Sequence, residues 1–385
     1  MKPNPNPNSP FPESLKEKLS QRGRDNALRS LQQTYKDLID FSSNDYLGFS
    51  FNQSISELVS EKLDTYKSTH KSATGSRLLT GNYPMIEDFE SYLKGYYNSE
   101  AATVFNSGYD ANLGLISAIG QRQDLILYDE LCHASIRDGI QLSPAKAYKF
   151  KHNDLSDLEA KLSKFKDQFD SIYVVSEYVF SMDGDDSDPE ALMSLCNRFQ
   201  AFFILDEAHS IGVLNRYGID NLCFTPFARV VTFGKAFGAH GAVVLGSNEL
   251  KTYLINFAKS FVYTTAPSQE TTARNWASHL YLDQNAKAFE TLKSIIQYFK
   301  AEVSSKHLSS CFIDSNSAIQ SCVIQGNTKV KSVSKHLQKE GFDVRPILSP
   351  TVPKGKERLR FCLHSFNTKT EISEILSKLG QSITN

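Results

Sequence analysis

Between about residues 84 and 245, six short apolar runs are separated by stretches with helical spacing: Ala101–Phe105, Asp124–Tyr128, Ser171–Val175, Ala201–Leu205, Val230–Phe233 and Gly241–Leu245. Each run is nearly continuous in hydrophobicity instead of alternating, which is the pattern of a strand covered on both faces. Strand–helix alternation of this kind predicts an α/β fold, with a mostly parallel sheet between helices. Ligands of such sheets gather at the carboxyl ends of the strands. The residues just past each run are therefore where chemistry is expected.

Two of those ends stand out. Ala201–Leu205 runs into Asp206-Glu207-Ala208-His209, and Val230–Phe233 runs into Gly234-Lys235. A lysine at the end of a buried strand is costly unless its amine has a task. A strand-end acid, a histidine three residues on and a later strand-end lysine suit pyridoxal 5'-phosphate (PLP). The lysine would hold the cofactor as a Schiff base and the aspartate would pair with its pyridine nitrogen. Upstream, Asn106-Ser107-Gly108-Tyr109-Asp110 turns from a strand into a helix, which suits a phosphate as well as an ordinary cap. His133, just past another strand, is a ring-contact candidate, although a lone histidine is also a common structural hydrogen bonder.

Competing chemistries lack their motifs. Neither G-x-G-x-x-G nor G-x-x-x-x-G-K-[ST] occurs, which argues against dinucleotide and P-loop sites. No H-E-x-x-H pair is present, and Asp183–Asp188 fails as a calcium loop because Asp188 stands where glycine is needed. No metal is expected. A net charge of −1 favours neither nucleic acid nor an anionic membrane as partner. The six cysteines are scattered without C-x-x-C spacing, as expected of free thiols in a reducing cytoplasm. The Pro/Asn-rich start has no apolar core and reads as a disordered lead-in, and no apolar run reaches membrane-spanning length.

Leucines at near-helical spacing predict a helix over Pro12–Leu38, followed by a short strand at Leu38–Phe41. After about Ser268 the pattern changes to long helices near Thr271–Leu282 and Ala286–Ser305. An α+β segment follows, with strands at Ser317–Ile324 and Arg358–Leu363 and helices near Val330–Glu340 and Lys369–Leu379. The expected division is an N-terminal segment (1–45), a large cofactor-binding domain (46–270) and a smaller C-terminal domain (271–385).

With these residues in order, the chain resembles the α-oxoamine synthases, fold-type I PLP enzymes that condense an amino acid with an acyl thioester and release CO₂. The resemblance spans about residues 26–380. It rests on Phe41–Gly48, Thr74–Gly81, His133–Ser135, Val179–Asp185, Asp206–His209 and Thr232–Lys235. Within the family, Phe41–Gly48, Leu142–Pro144 with His152–Asp154, Val230–Gly238 and Pro350–Pro353 look most like members that join L-alanine to a pimeloyl thioester in biotin synthesis. Glycine C-acetyltransferase-type and serine palmitoyltransferase-type donors are the alternatives.

The resemblance implies roles. Lys235 would carry the cofactor and take the α-proton, and Asp206 would keep the pyridine nitrogen protonated. His209 would contact the phenolic oxygen, and His133 would stack on the ring. Gly108, Tyr109, Ser181 and Thr232 would line the cofactor. Arg29, Asn44, Thr351 and Arg360 would contact substrate, with Arg29 at the acyl chain and Arg360 near a carboxylate. A cytoplasmic homodimer with active sites at the subunit interface is implied, using a small-molecule or carrier-protein thioester. Leu348 stands where the family pattern has arginine, Tyr178 where it has a small residue and His240 where serine is common. Tyr178 and His240 are expected to reshape the acyl entrance.

Overall fold

The computed structural model describes residues 11–31, 37–68, 72–219 and 225–384. After the two-residue strand β1 (Ile39–Asp40) come β2 (Ala101–Phe105), β3 (Leu125–Asp129), β4 (Lys146–Phe150) and β5 (Ile172–Glu177). Next are β6 (Phe202–Asp206), β7 (Ala228–Thr232) and β8 (Ala242–Gly246). Strands β2 to β8 form one sheet in the order β2-β8-β7-β6-β5-β3-β4. Strand β8 is antiparallel to both neighbours, and the other pairs are parallel.

Successive residues of a strand point to opposite faces. Tyr173 and Val175 accordingly enter one apolar cluster with Ile116 and Ile136, while Ile172 and Val174 enter another with Leu158 and Leu192. Both faces are buried, as the continuous apolar runs require.

Strand β4 has no counterpart among the six apolar runs. It is an edge strand of sequence Lys-Ala-Tyr-Lys-Phe with only Phe150 buried. Charged side chains on a sheet edge block further pairing, and they also remove the hydrophobic signal.

The C-terminal part contains β9 (Ile319–Val323), β10 (Phe342–Asp343), β11 (Arg345–Ile347) and β12 (Arg358–Cys362). Strands β11, β12 and β9 form an antiparallel sheet, and β10 pairs in parallel with β1. That pairing ties the segment before Phe41 to the C-terminal unit. The expected helix over Pro12–Leu38 is shorter, Glu13–Arg24. It stops because Asn26 takes a left-handed backbone (φ 50°) and the Ala27 N–H returns to Arg22 O at 2.8 Å. The helix buries none of its residues. The expected disordered lead-in, the Pro/Asn segment over residues 1–8, lies outside the described residues. Among the described residues, no helix is long and apolar enough to cross a membrane.

One edge of the large sheet matters for function. Strands β2, β3, β5, β6 and β7 run the same way, so Phe105, Asp129, Glu177, Asp206 and Thr232 all close strands on that edge. Arg360 of β12 meets the same edge through the Ser181 carbonyl, which accepts from its Nε at 2.7 Å.

Candidate active site

Asp206 is buried at the end of β6, where its carboxylate is held from two sides. Oδ2 accepts from Asn112 Nδ2 at 2.7 Å, and Oδ1 accepts from the Ala208 N–H at 2.9 Å. Asn112 lies on the helix Gly108–Ile119, one turn past Gly108. A carboxylate fixed by two donors keeps its charge at a set position, which a floppy surface aspartate would not.

Three residues on, His209 is buried with Nδ1 2.8 Å from the Tyr46 hydroxyl. Burial drives the imidazole pKa well below its ordinary value, and Lys235 and Arg360 push it further down. His209 is therefore neutral. Tyr46 is fully buried, and burial raises its hydroxyl far above the ordinary range, so it stays protonated. Its oxygen also lies 3.1 Å from Asn44 Oδ1 and 3.4 Å from Arg360 Nη2. Arg360 in turn donates to Asn44 Oδ1 at 3.0 Å and to Cys362 Sγ at 2.8 Å. Asn44, Tyr46, His209, Ser181 and Arg360 thus form one hydrogen-bonded group from four distant segments.

Lys235 is half-buried, and no hydrogen bond or ion pair to its amine is found among the described residues. Desolvation lowers its pKa, Arg360 lowers it further, and Asp206 opposes both. An amine in this position is neutral more often than a surface lysine at the same pH. Three residues before it, Thr232 ends β7 and donates to Gly241 O at 3.2 Å. Thr232 also faces Gly108, where an added Cβ would meet its Cβ and Oγ1 at 3.3 Å. The absence of a side chain at Gly108 keeps this gap open at the first turn of a helix, beside unpaired N–H groups.

Next to Gly108, Tyr109 donates its hydroxyl to Asp138, and its ring stands edge-on to His133 with centroids 6.5 Å apart. His133 caps the helix Ala134–Leu142, its Nδ1 2.8 Å from Ser135 Oγ, and its N–H donates to Glu177. Amine, strand-end carboxylate, neutral histidine, ring-contact histidine and helix N-terminus fit the lysine-linked, pyridine- and phosphate-bearing cofactor expected from the sequence.

Beyond this group opens a groove of about 850 Å³. Arg29 and Thr351 both line it, and Arg29 Nη2 donates to Thr351 Oγ1 at 2.8 Å. Met182, which follows Ser181, also lines it and connects it to the site. Among the described residues its walls carry five cations, Arg22, Arg29, Lys331, Lys335 and Arg345, and no carboxylate. Leu348 lines the groove as well. Tyr178 packs against the core that contains Phe203 and Leu205, and His240 is exposed; neither lines this groove.

Sequence reasoning assigned no role to Tyr46, Asn112 or Glu177. Tyr46 stood inside the quoted Phe41–Gly48 motif. Asn112 is visible only once the helix phase after Gly108 is known. Glu177 extends the β5 run by two residues and pairs in register with Asp206. Burial pushes its carboxyl well above the usual range, Asp206 adds to this, and the N–H groups of His133 and Ser181 oppose it.

The family model for aminotransferase class I and II matches residues 36–379. An 8-amino-7-oxononanoate synthase from Emericella nidulans is 34% identical over 390 residues, covering 96% of this chain and 95% of its own. A crystal structure of 8-amino-7-oxononanoate synthase from Francisella tularensis superposes with a TM-score of 0.73 at 28% identity, covering 91% and 99%. The fold is also shared with serine palmitoyltransferase from S. paucimobilis bearing a PLP–myriocin aldimine, with a TM-score of 0.85 at 23% identity and 96% coverage of both chains.

Proposed function

As the chain belongs to the aminotransferase class I and II family, in its α-oxoamine synthase branch, we propose that it is a PLP-dependent acyltransferase acting on L-alanine and a pimeloyl thioester. The products are 8-amino-7-oxononanoate, CO₂ and the free thiol. The similarity to named 8-amino-7-oxononanoate synthases over nearly the whole chain supports the substrate assignment. The observation that carries the chemistry is Lys235 beside a fixed Asp206 and a neutral His209.

When bound, PLP supplies an electron sink for the bond broken at the amino acid's α-carbon. Asp206, oriented by Asn112 and Ala208, would keep a proton on the pyridine nitrogen through its negative charge. The Tyr46 hydroxyl, 2.8 Å from Nδ1, fixes the neutral ring of His209, so that Nε2 is the nitrogen that would contact the cofactor's phenolic oxygen. His133 would contact one face of the ring.

Gly108 and Thr232 would hold the phosphate at the helix N-terminus. Lys235 Nζ would hold the cofactor, and as a free amine it would serve as the base for the α-proton of alanine. Its lowered pKa favours the free-base form that this task needs. Arg360, fixed by Ser181, Asn44 and Cys362, holds the alanine carboxylate that is later lost as CO₂. The pimeloyl chain lies in the groove against Arg29 and Thr351.

In this reading the domain over 46–270 contributes Lys235, Asp206 and His209, and that over 271–385 contributes Arg360 and Thr351. The protein works as a cytoplasmic homodimer, and the thioester rides on CoA or on an acyl carrier protein.

The test is a thiol-release assay crossing L-alanine, glycine and L-serine with pimeloyl, acetyl, succinyl and palmitoyl thioesters. The expected result is fastest turnover for L-alanine with a pimeloyl donor. Turnover confined to another pair would replace the substrate assignment, and no turnover with any pair would remove the condensation itself.

A further inference from the structure

His152 sits behind the cofactor site, in a segment to which the mechanism above gives no part. It follows β4, and both of its ring nitrogens face carboxylates. Nδ1 lies 3.0 Å from Asp129 Oδ1, and Nε2 lies 2.7 Å from Asp185 Oδ2. A neutral imidazole has one N–H, so it can serve only one of two such acceptors; the imidazolium serves both. The ring also stands edge-on to Phe180 with centroids 4.4 Å apart.

The groups facing His152 come from three strand-end loops. From the β3 loop come Asp129 and Glu130, the latter paired with Lys149. From the β5 loop come Asp185 and Asp186, with Asp183 paired to Arg358 of β12. From its own segment, Asn153 donates to Asp185 Oδ2 at 3.0 Å and its N–H donates to Asp129 Oδ2 at 2.9 Å. His152, Asp183 and Asp185 are close enough to suggest a cation site. Asp183 is already committed to Arg358 and both imidazole nitrogens to carboxylates, so the cation of this cluster is His152 itself.

What the cluster holds is functional. Asp129 Oδ1 accepts from the Leu131 N–H at 2.8 Å and its carbonyl accepts from Cys132, which shapes the turn that delivers His133. Asp185 O accepts from the Phe180 N–H at 3.0 Å, next to Ser181, whose carbonyl holds Arg360.

We propose that His152 is a positioning residue: as an imidazolium it clamps the β3 loop carrying His133 to the β5 loop carrying the Ser181 carbonyl, and so aims Arg360 at the amino-acid carboxylate. Its two carboxylate partners raise its pKa to about 9 against the opposing effect of burial. The clamp is thus closed at neutral pH and opens as the pH rises past that value, where one of the two carboxylates loses its imidazole donor.

This inference rests on the proposed amino-acid site but not on which thioester is used. The first test is a titration of wild-type protein labelled at histidine Cε1, followed by NMR and assigned with His152→Gln. A His152 signal that stays protonated to well above pH 7.5 is expected; one that titrates at or below about 6.5, the ordinary value, overturns the clamp.

The second test is amino-acid affinity, read from the absorbance of bound cofactor on adding L-alanine without any thioester. His152→Gln and Asp185→Asn should each weaken it roughly tenfold at pH 7.5, the scale of losing one charged hydrogen bond. They should also remove the alkaline weakening expected of the wild type, while affinity for a non-reactive thioether analogue of the pimeloyl thioester stays unchanged. Variants that keep wild-type amino-acid affinity and its pH dependence contradict the proposal. Failure of every thioester to react would count against the condensation and leave both readouts intact.

Discussion

Arg29 Nη2 donates to Thr351 Oγ1 at 2.8 Å, joining two residues 322 positions apart across the mouth of a groove lined by cations. The left-handed turn at Asn26 ends the preceding helix, and Lys331 Nζ binds Asn26 Oδ1 at 3.0 Å, so residues 26–29 are tied to the C-terminal unit. Arg29→Ala should raise KM for the acyl thioester roughly 10- to 100-fold, the range for a lost charge-assisted contact. Thr351→Val should have a smaller effect in the same direction. Steady-state kinetics with each substrate varied in turn checks this, because KM for L-alanine should move little.

Leu348 brings an apolar side chain to the same groove, while the neighbouring Arg345 is paired with Asp343 at 2.6 Å. Leu348→Arg should shift selectivity toward donors with a terminal carboxylate, by at least about fivefold in the ratio of kcat/KM for pimeloyl over octanoyl thioester. An unchanged ratio would place the distal end of the acyl chain away from this residue.

Asp206→Asn removes the charge that faces the pyridine nitrogen while preserving shape. It should lower kcat by at least about a hundredfold, since proton placement is worth that order of rate. The variant should still fold but with somewhat lower thermal stability, because its amide oxygen can accept from Asn112 while its NH2 then faces the Ala208 N–H. Thermal unfolding and kcat measured on one preparation separate the two effects.

His279 lies fully buried, stacked 4.0 Å from Phe237 of the lysine loop, with Nε2 2.9 Å from the Tyr97 hydroxyl. Burial lowers its pKa to about 3. A histidine whose folded pKa is depressed stabilises the fold fully above its unfolded value near 6.5 and loses that contribution as pH falls below it. This one group should cost about 2 kcal/mol between pH 7 and pH 5. Urea unfolding at both pH values should show a smaller loss in His279→Gln than in the wild type.

Much of this arrangement could be read from residue order, and the reasons differ by element. Buried parallel strands need continuous apolar runs, so all six runs mark sheet strands within two residues at either end. Strand β4 escaped because an edge tolerates Lys146 and Lys149. The leucines of the first helix misled because their spacing continued past Asn26, where a single left-handed residue ends the helix.

In the site, Asp206 and Lys235 were visible as charges at apolar ends. Their support was not. Asn112 depends on helix phase, Tyr46 on a contact across 163 residues, and His152 on three loops meeting at one edge of the sheet.

The central claim is that the half-buried amine of Lys235 is the group that binds the cofactor and moves the α-proton. Reducing the PLP-loaded protein with borohydride, followed by proteolysis and mass spectrometry, reads this directly. The account predicts a single pyridoxyl group on the peptide containing Lys235, absent in Lys235→Ala. A pyridoxyl group on another lysine, or none on protein loaded with PLP, would contradict it.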